Sequence, residues 1–113
     1  MTQEEKELLL KDLCARLLYG FIVHRYSDNT SIRINNISEF GHFLEYSEGE
    51  DFKPYLRPMS SMTEEERKEY EKFSHFSIGL APILMDWIYS HHLDCCGLIE
   101  KGLAFEALEG MYD

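Results

Sequence analysis

Apolar residues recur at helical spacing near the start of the chain: Leu9, Leu10, Leu13, Cys14, Leu17 and Leu18 fall on neighbouring faces of one helix. Thr2 is followed by Glu5 at capping-box spacing, so hydroxyl and carboxylate can each take a free N–H of the first turn. The pattern predicts a helix over Gln3–Leu18, with Gly20 near its end. The period then changes to two. Phe21, Val23 and Arg25 alternate with Ile22, His24 and Tyr26, and Ile32 and Ile34, with Ile37 as a further candidate, form a second period-two set beyond "SDNT". "HFLEY" (42–46) reads as a third short strand and "SEGED" as the turn after it. "FKPYL" (52–56) reads as a fourth strand, short or at a sheet edge, because Pro54 has no N–H to give a ladder.

Beyond the connector "RPMSSM", Thr63 and Glu66 form a second capping box that opens "EEERKEYEKF". That helix carries few apolar residues and is expected to be mostly exposed. "SIGLAPILMDWIYSHH" carries a stronger stripe of Leu80, Leu84, Trp87, Ile88 and His91, and Pro82 suits a first turn, so this helix begins near Ala81. Asp94 is placed to cap a further short helix, "CCGLIEK", with Gly102 as the residue just past its end. "LAFEAL" reads as extended or irregular. The fold class expected is α+β: an N-terminal helix (1–18), a β-rich part (19–57) holding a small antiparallel sheet or half-barrel of three to four strands, and a helical part (63–113) of two to three helices packed on it. The core is expected to hold Leu13, Leu17, Phe21, Val23, Ile32, Ile34, Leu84, Trp87, Ile88, Leu98 and Ile99.

At 113 residues with 44% hydrophobic content, the chain is expected to form one domain with one modest core rather than a disordered segment. Its formal charge of −10, from 21 acidic and 11 basic residues, argues against direct nucleic-acid binding, since no counterions would be released. It also argues against an anionic membrane surface. The acidic "MTQEEKE" is unlike a signal peptide, and no apolar run is long enough for a membrane span. Three cysteines, two of them adjacent, fit reduced thiols and a cytoplasmic location.

"SHHLDCCGL" (90–98) gathers two histidines, an aspartate and two cysteines, the residue types of a zinc site. Adjacent residues on a helix point about 100° apart, however, so each His-His or Cys-Cys pair offers one ligand easily. If Asp94 starts a new helical segment, the imidazoles and thiols separate altogether. No phosphate loop, nucleophile elbow or Ser–His–acid spacing is present. Catalytic, metal and cofactor residues are therefore assigned as none.

Three segments, "KDLCARLLYGFIV", "KPYLRPMSSMTEEER" and "HHLDCCGLIEKGLAFEALEGMY", resemble a family of small uncharacterised proteins encoded by gut Bacteroidales and by their phages and mobile elements. The resemblance covers about half of the chain. It implies an N-terminal helix, a variable β-rich middle and a helical C-terminal part, and it implies no activity. In that family the two positions after the aspartate are commonly an aromatic and a basic residue, where this chain has Cys95 and Cys96. The thiols are then not a family function.

The function expected is a small, acidic, cytosolic, non-enzymatic protein-interaction module. Its candidate partner-binding residues are Tyr55, Leu56, Met59 and Met62, since flexible methionines suit adaptable surfaces. One alternative is a nucleic-acid-mimicking inhibitor of a host defence protein, with Glu64, Glu65, Glu66, Glu69 and Glu71 as its charge. Another is a metal-binding domain or enzyme built on His91, His92 and Asp94. Exposed strand edges would also allow a homo-oligomer.

Overall fold

The computed structural model describes residues 2–26, 29–47, 52–74 and 81–112. Its elements are α1 (Gln3–Arg16), β1 (Phe21–Arg25), β2 (Thr30–Ile34), α2 (Ile37–Ser47), β3 (Phe52–Leu56), a 3₁₀ turn (Met59–Ser61), α3 (Glu64–Ser74), α4 (Ala81–Ser90) and β4 (Phe105–Glu106). The α+β class holds, with an N-terminal helix, a four-stranded sheet and further helices. The turn residues 27–28 and 48–51, and Leu80 of the apolar stripe, lie outside the described residues.

Both capping boxes form. The Thr2 hydroxyl accepts from the Glu5 N–H at 3.1 Å and the Glu5 carboxylate from the Thr2 N–H at 2.9 Å. Thr63 and Glu66 make the same reciprocal pair at 3.2 and 2.9 Å. Gly20 follows the turn after α1 with φ +77°, and that left-handed backbone favours glycine; a Cβ there would also stand 3.3 Å from the Ile34 carbonyl oxygen.

The sheet order is β2-β1-β3-β4. β1 pairs antiparallel with β2 and β3, whereas β4 runs parallel to β3, so the sheet is mixed rather than wholly antiparallel. β3 is central despite Pro54. The Ile22 N–H and Tyr55 carbonyl face each other across β1 and β3, so alternation turns the Pro54 nitrogen away from β1. On that side β4 pairs only with Tyr55 and Leu56, and no donor is needed at residue 54.

"HFLEY" is helix, not strand. The Asn36 side chain accepts from the Glu39 N–H at 2.9 Å, and the Glu39 carboxylate reaches back to the Asn35 N–H at 2.9 Å. This is a capping box moved by one residue, and it opens α2 at Ile37. Ile37 accordingly leaves the period-two set and is 77% exposed, while Phe40 turns inward, edge-on to Phe21 at 5.4 Å.

Two hydrophobic clusters result. The first joins the inner sheet face (Phe21, Val23, Ile34, Phe52, Leu56) to Leu9, Leu13, Phe40, Leu98, Leu103 and Ala104. The second centres on Trp87, Ile88 and Leu93, with Met59, Met62, Tyr70, Phe73 and Leu84 against it. Of the expected core, Leu13, Phe21, Val23, Ile34, Trp87, Ile88 and Leu98 are buried, and Leu17, Ile32, Leu84 and Ile99 pack at the margin.

Candidate functional site

The polypeptide breaks between the imidazoles and the thiols. The Leu93 N–H reaches the Ile88 carbonyl and the His92 N–H the Tyr89 carbonyl, which closes α4 with His92 in the left-handed region at φ +60°. "CCGLIEK" is not a continuous helix. Cys95 and Cys96 lie in a bend, and a single turn follows over 98–102. Bonds from Leu103 to the Leu98 carbonyl and from Gly102 to the Ile99 carbonyl end that turn, with Gly102 at φ +75°. Asp94 does cap it, from further back than an ordinary N-cap: its carboxylate oxygens accept from the Leu98 and Ile99 N–H groups at 2.9 and 3.0 Å.

His91, His92 and Asp94 do not converge. The His91 ring stacks on Trp87 at 4.2 Å, with its Nδ1 2.8 Å from the Trp87 carbonyl oxygen. His92 is buried against the Tyr112 ring at 3.9 Å, and burial pulls its pKa down to about 4. Asp94 is spent on its turn. A metal-binding reading built on these three residues therefore has no geometry to use.

His92 makes stability depend on pH. Unfolded, it takes up a proton near pH 6.5, whereas folded it stays neutral down to about pH 4. Between those values the unfolded chain holds more protons, so stability rises with pH across the window. The linkage is worth about 2–4 kcal/mol. Urea titrations at pH 4.5 and 7 are expected to show this loss on acidification, and His92→Asn is expected to flatten it.

Two arginines tie the segment down. Arg16, fully buried, donates to both oxygens of Asp12 at 2.7 and 3.2 Å and to the Leu93 carbonyl at 2.7 Å, and it lies over the Tyr89 ring. Arg57 grips Glu66 through two bonds of 2.9 and 2.7 Å and also donates to the His91 carbonyl and to Ser61. That pairing holds the Glu66 carboxyl down at about 2. The backbone of Arg57 bridges to residues 92–94 as well.

Tyr112 finishes the sheet. Its hydroxyl accepts from the Ile22 N–H at 2.8 Å and donates to the Tyr55 carbonyl at 2.6 Å, standing between β1 and β3 where their ladder ends. Tyr112→Phe leaves both backbone groups without this partner. A loss of about 1–3 kcal/mol is expected in chemical denaturation. A cleft of about 500 Å³ lies between Arg57, Pro58 and Thr63 on one side and residues 107–112 on the other.

The candidate partner residues separate. Leu56 is fully buried in the first cluster, which removes it from any partner surface. Met59 and Met62 pack against the Trp87 cluster as half-buried lids. Tyr55 turns to the outer sheet face, where His24, Tyr26 and Phe105 join it. His24 meets Tyr26 at 5.1 Å and Phe105 at 5.9 Å, Tyr55 meets Phe105 at 5.6 Å, and the Lys53 ammonium lies 5.1 Å from the centre of the Phe105 ring. Tyr26 is 43% exposed. The β1 half of this patch was visible as alternation; its extension to Phe105 depends on a parallel pairing that no local pattern announces.

The acidic residues of α3 are partly consumed internally. Glu66 is held by Arg57, and Glu69 accepts from the Trp87 indole N–H at 2.7 Å. Glu64, Glu65 and Glu71 are exposed. Among the described residues one trio of candidate ligands converges, Asp12, Cys95 and Cys96, whose ligand atoms lie within 4.8 Å of one another. Burial, and then the neighbouring Cys96 sulfur, pushes the Cys95 thiol up to about 12. No helix among the described residues is long and apolar enough to cross a membrane.

The fold and these surfaces define a small α+β domain with a mixed four-stranded sheet. No known protein family, curated protein or solved structure matches the chain.

Proposed function

We propose that this chain is a non-enzymatic protein-interaction module, acting in the cytoplasm, that binds its partner through the outer sheet face. The observation that carries this reading is the ring patch of His24, Tyr55 and Phe105 on the strands and Tyr26 just past β1, on the sheet face opposite the one that packs against α1 and α2. These four residues belong to neither hydrophobic cluster. Aromatic rings offer large contact area at low entropic cost, and Lys53 adds a cation at their margin. A partner segment supplying apolar side chains suits such a surface. The mimicry reading draws less support, because Glu66 and Glu69 are already engaged within the protein.

The test compares proteins captured from host lysate by the wild type and by a Tyr26→Ser/Lys53→Glu variant, with a Glu64→Gln/Glu65→Gln variant as control. A partner lost with the patch variant and kept by the α3 control supports the reading. Identical capture by all three sinks it. Light scattering on the same proteins separates partner binding from self-association through the terminal strand β2.

A further inference from the structure

The adjacent cysteines occupy a bend rather than a helix, and this changes what they can do. On a helix their side chains would diverge by about 100°. In the bend after Asp94 the two sulfurs stand 3.1 Å apart. Asp12 of α1 completes the group from a distant part of the chain, its carboxylate held by Arg16. Cys95 is half-buried and Cys96 is exposed, so the group has a solvent-facing entrance.

We propose that Asp12, Cys95 and Cys96 form a binding site for one thiophilic divalent cation, with zinc as the representative ion. The donor set is the sulfur-rich, carboxylate-assisted kind that zinc and its congeners accept. Charge also fits. With both thiols ionised, the trio carries −3 and Arg16 contributes +1; a divalent ion brings the sum to zero. On binding, each thiol gives up its proton to solvent and no electron moves. A tetrahedral zinc with Zn–S bonds of about 2.3 Å holds two sulfurs about 3.8 Å apart, so the pair must open by about 0.7 Å. A rotation of the exposed Cys96 side chain supplies that movement. Three protein ligands leave a fourth position for water or a small anion.

Cobalt(II) substitution provides the test. Full-length protein, kept reduced with a phosphine under anaerobic conditions, is titrated with cobalt(II) and then with zinc(II). The site predicts one equivalent bound, with thiolate-to-cobalt charge-transfer absorption that zinc abolishes. Cys95→Ser and Cys96→Ser are each expected to weaken binding at least tenfold, and Asp12→Asn to weaken it measurably. Cys14→Ser and His91→Ala should leave it unchanged. Circular dichroism checks that every variant is folded, and Cys96→Ser, at an exposed position, tests the site even if Asp12→Asn unfolds. Absence of a charge-transfer band, or a band that survives both cysteine variants, overturns the proposal. So does a Cys95–Cys96 disulfide that the phosphine cannot open.

Discussion

Arg16→Ala is expected to cost about 3–5 kcal/mol, because it strands the buried Asp12 carboxylate without its cation. In a chain of this size that corresponds to a fall in Tm of roughly 10–20 °C. The guanidinium also supplies the bond to the Leu93 carbonyl and the cover over Tyr89, so α1 loses its main polar tie to the segment after α4. A companion variant separates the ion pair from its packing. Replacing both partners, Arg16→Met with Asp12→Leu, removes the two charges while keeping most of the volume. It is expected to recover much of the loss, as buried pairs exchanged for apolar residues commonly do. A single-variant cost below about 1 kcal/mol would mean that water reaches the pair, as at surface salt bridges.

Trp87→Ala is the second large effect, at about 3–5 kcal/mol. Trp87 is 9% exposed and stands at the centre of the second cluster, between Tyr70 and Phe73 of α3 and the ring of His91. Its indole N–H is also bonded to Glu69. α3 is polar over most of its surface, so its docking depends heavily on this one side chain. Hydrogen exchange is therefore expected to accelerate in residues 64–74 more than in β1 or β3. Trp87→Phe keeps most of the apolar contact and loses the Glu69 bond. It should cost clearly less, since the exposed Glu69 carboxylate can return to water. A nearly unchanged Tm for Trp87→Ala would show that the second cluster contributes little.

The local grammar of the chain was legible where a signal needs only neighbouring residues. Thr2 with Glu5, Thr63 with Glu66, Pro82 at the start of α4 and Gly102 past the last turn all mark element ends by chemistry within a few positions. α2 escaped because its signal was displaced. Asn36 and Glu39 have capping spacing, but Ile32 and Ile34, with Ile37 three positions further on, suggested a strand running through the boundary. Period-two alternation and a helix start overlap there, and only the inward turn of Phe40 onto Phe21 decides between them. Pro54 misled for a related reason. Proline excludes a ladder donor at one position, not a strand from the sheet interior, and the cost vanishes when its nitrogen faces a side without a partner.

The sequence alone determined the α+β class, the caps of α1 and α3, the β1 and β2 residues that face the core and the end of α4 before Asp94, because each follows from side-chain chemistry acting over one or two turns of chain. Tertiary structure decided the rest: the parallel pairing of β4, the burial of Arg16 with Asp12, the Tyr112 hydroxyl between two strands, and the meeting of Asp12 with both thiols. Apart from the Asp12–Arg16 pair itself, which is four positions apart, those contacts join residues far apart along the chain, 77 positions for Arg16 and Leu93 and 90 for Ile22 and Tyr112. A buried charge or hydroxyl is stable only once every surrounding element is in place, so no short stretch of residues can announce it.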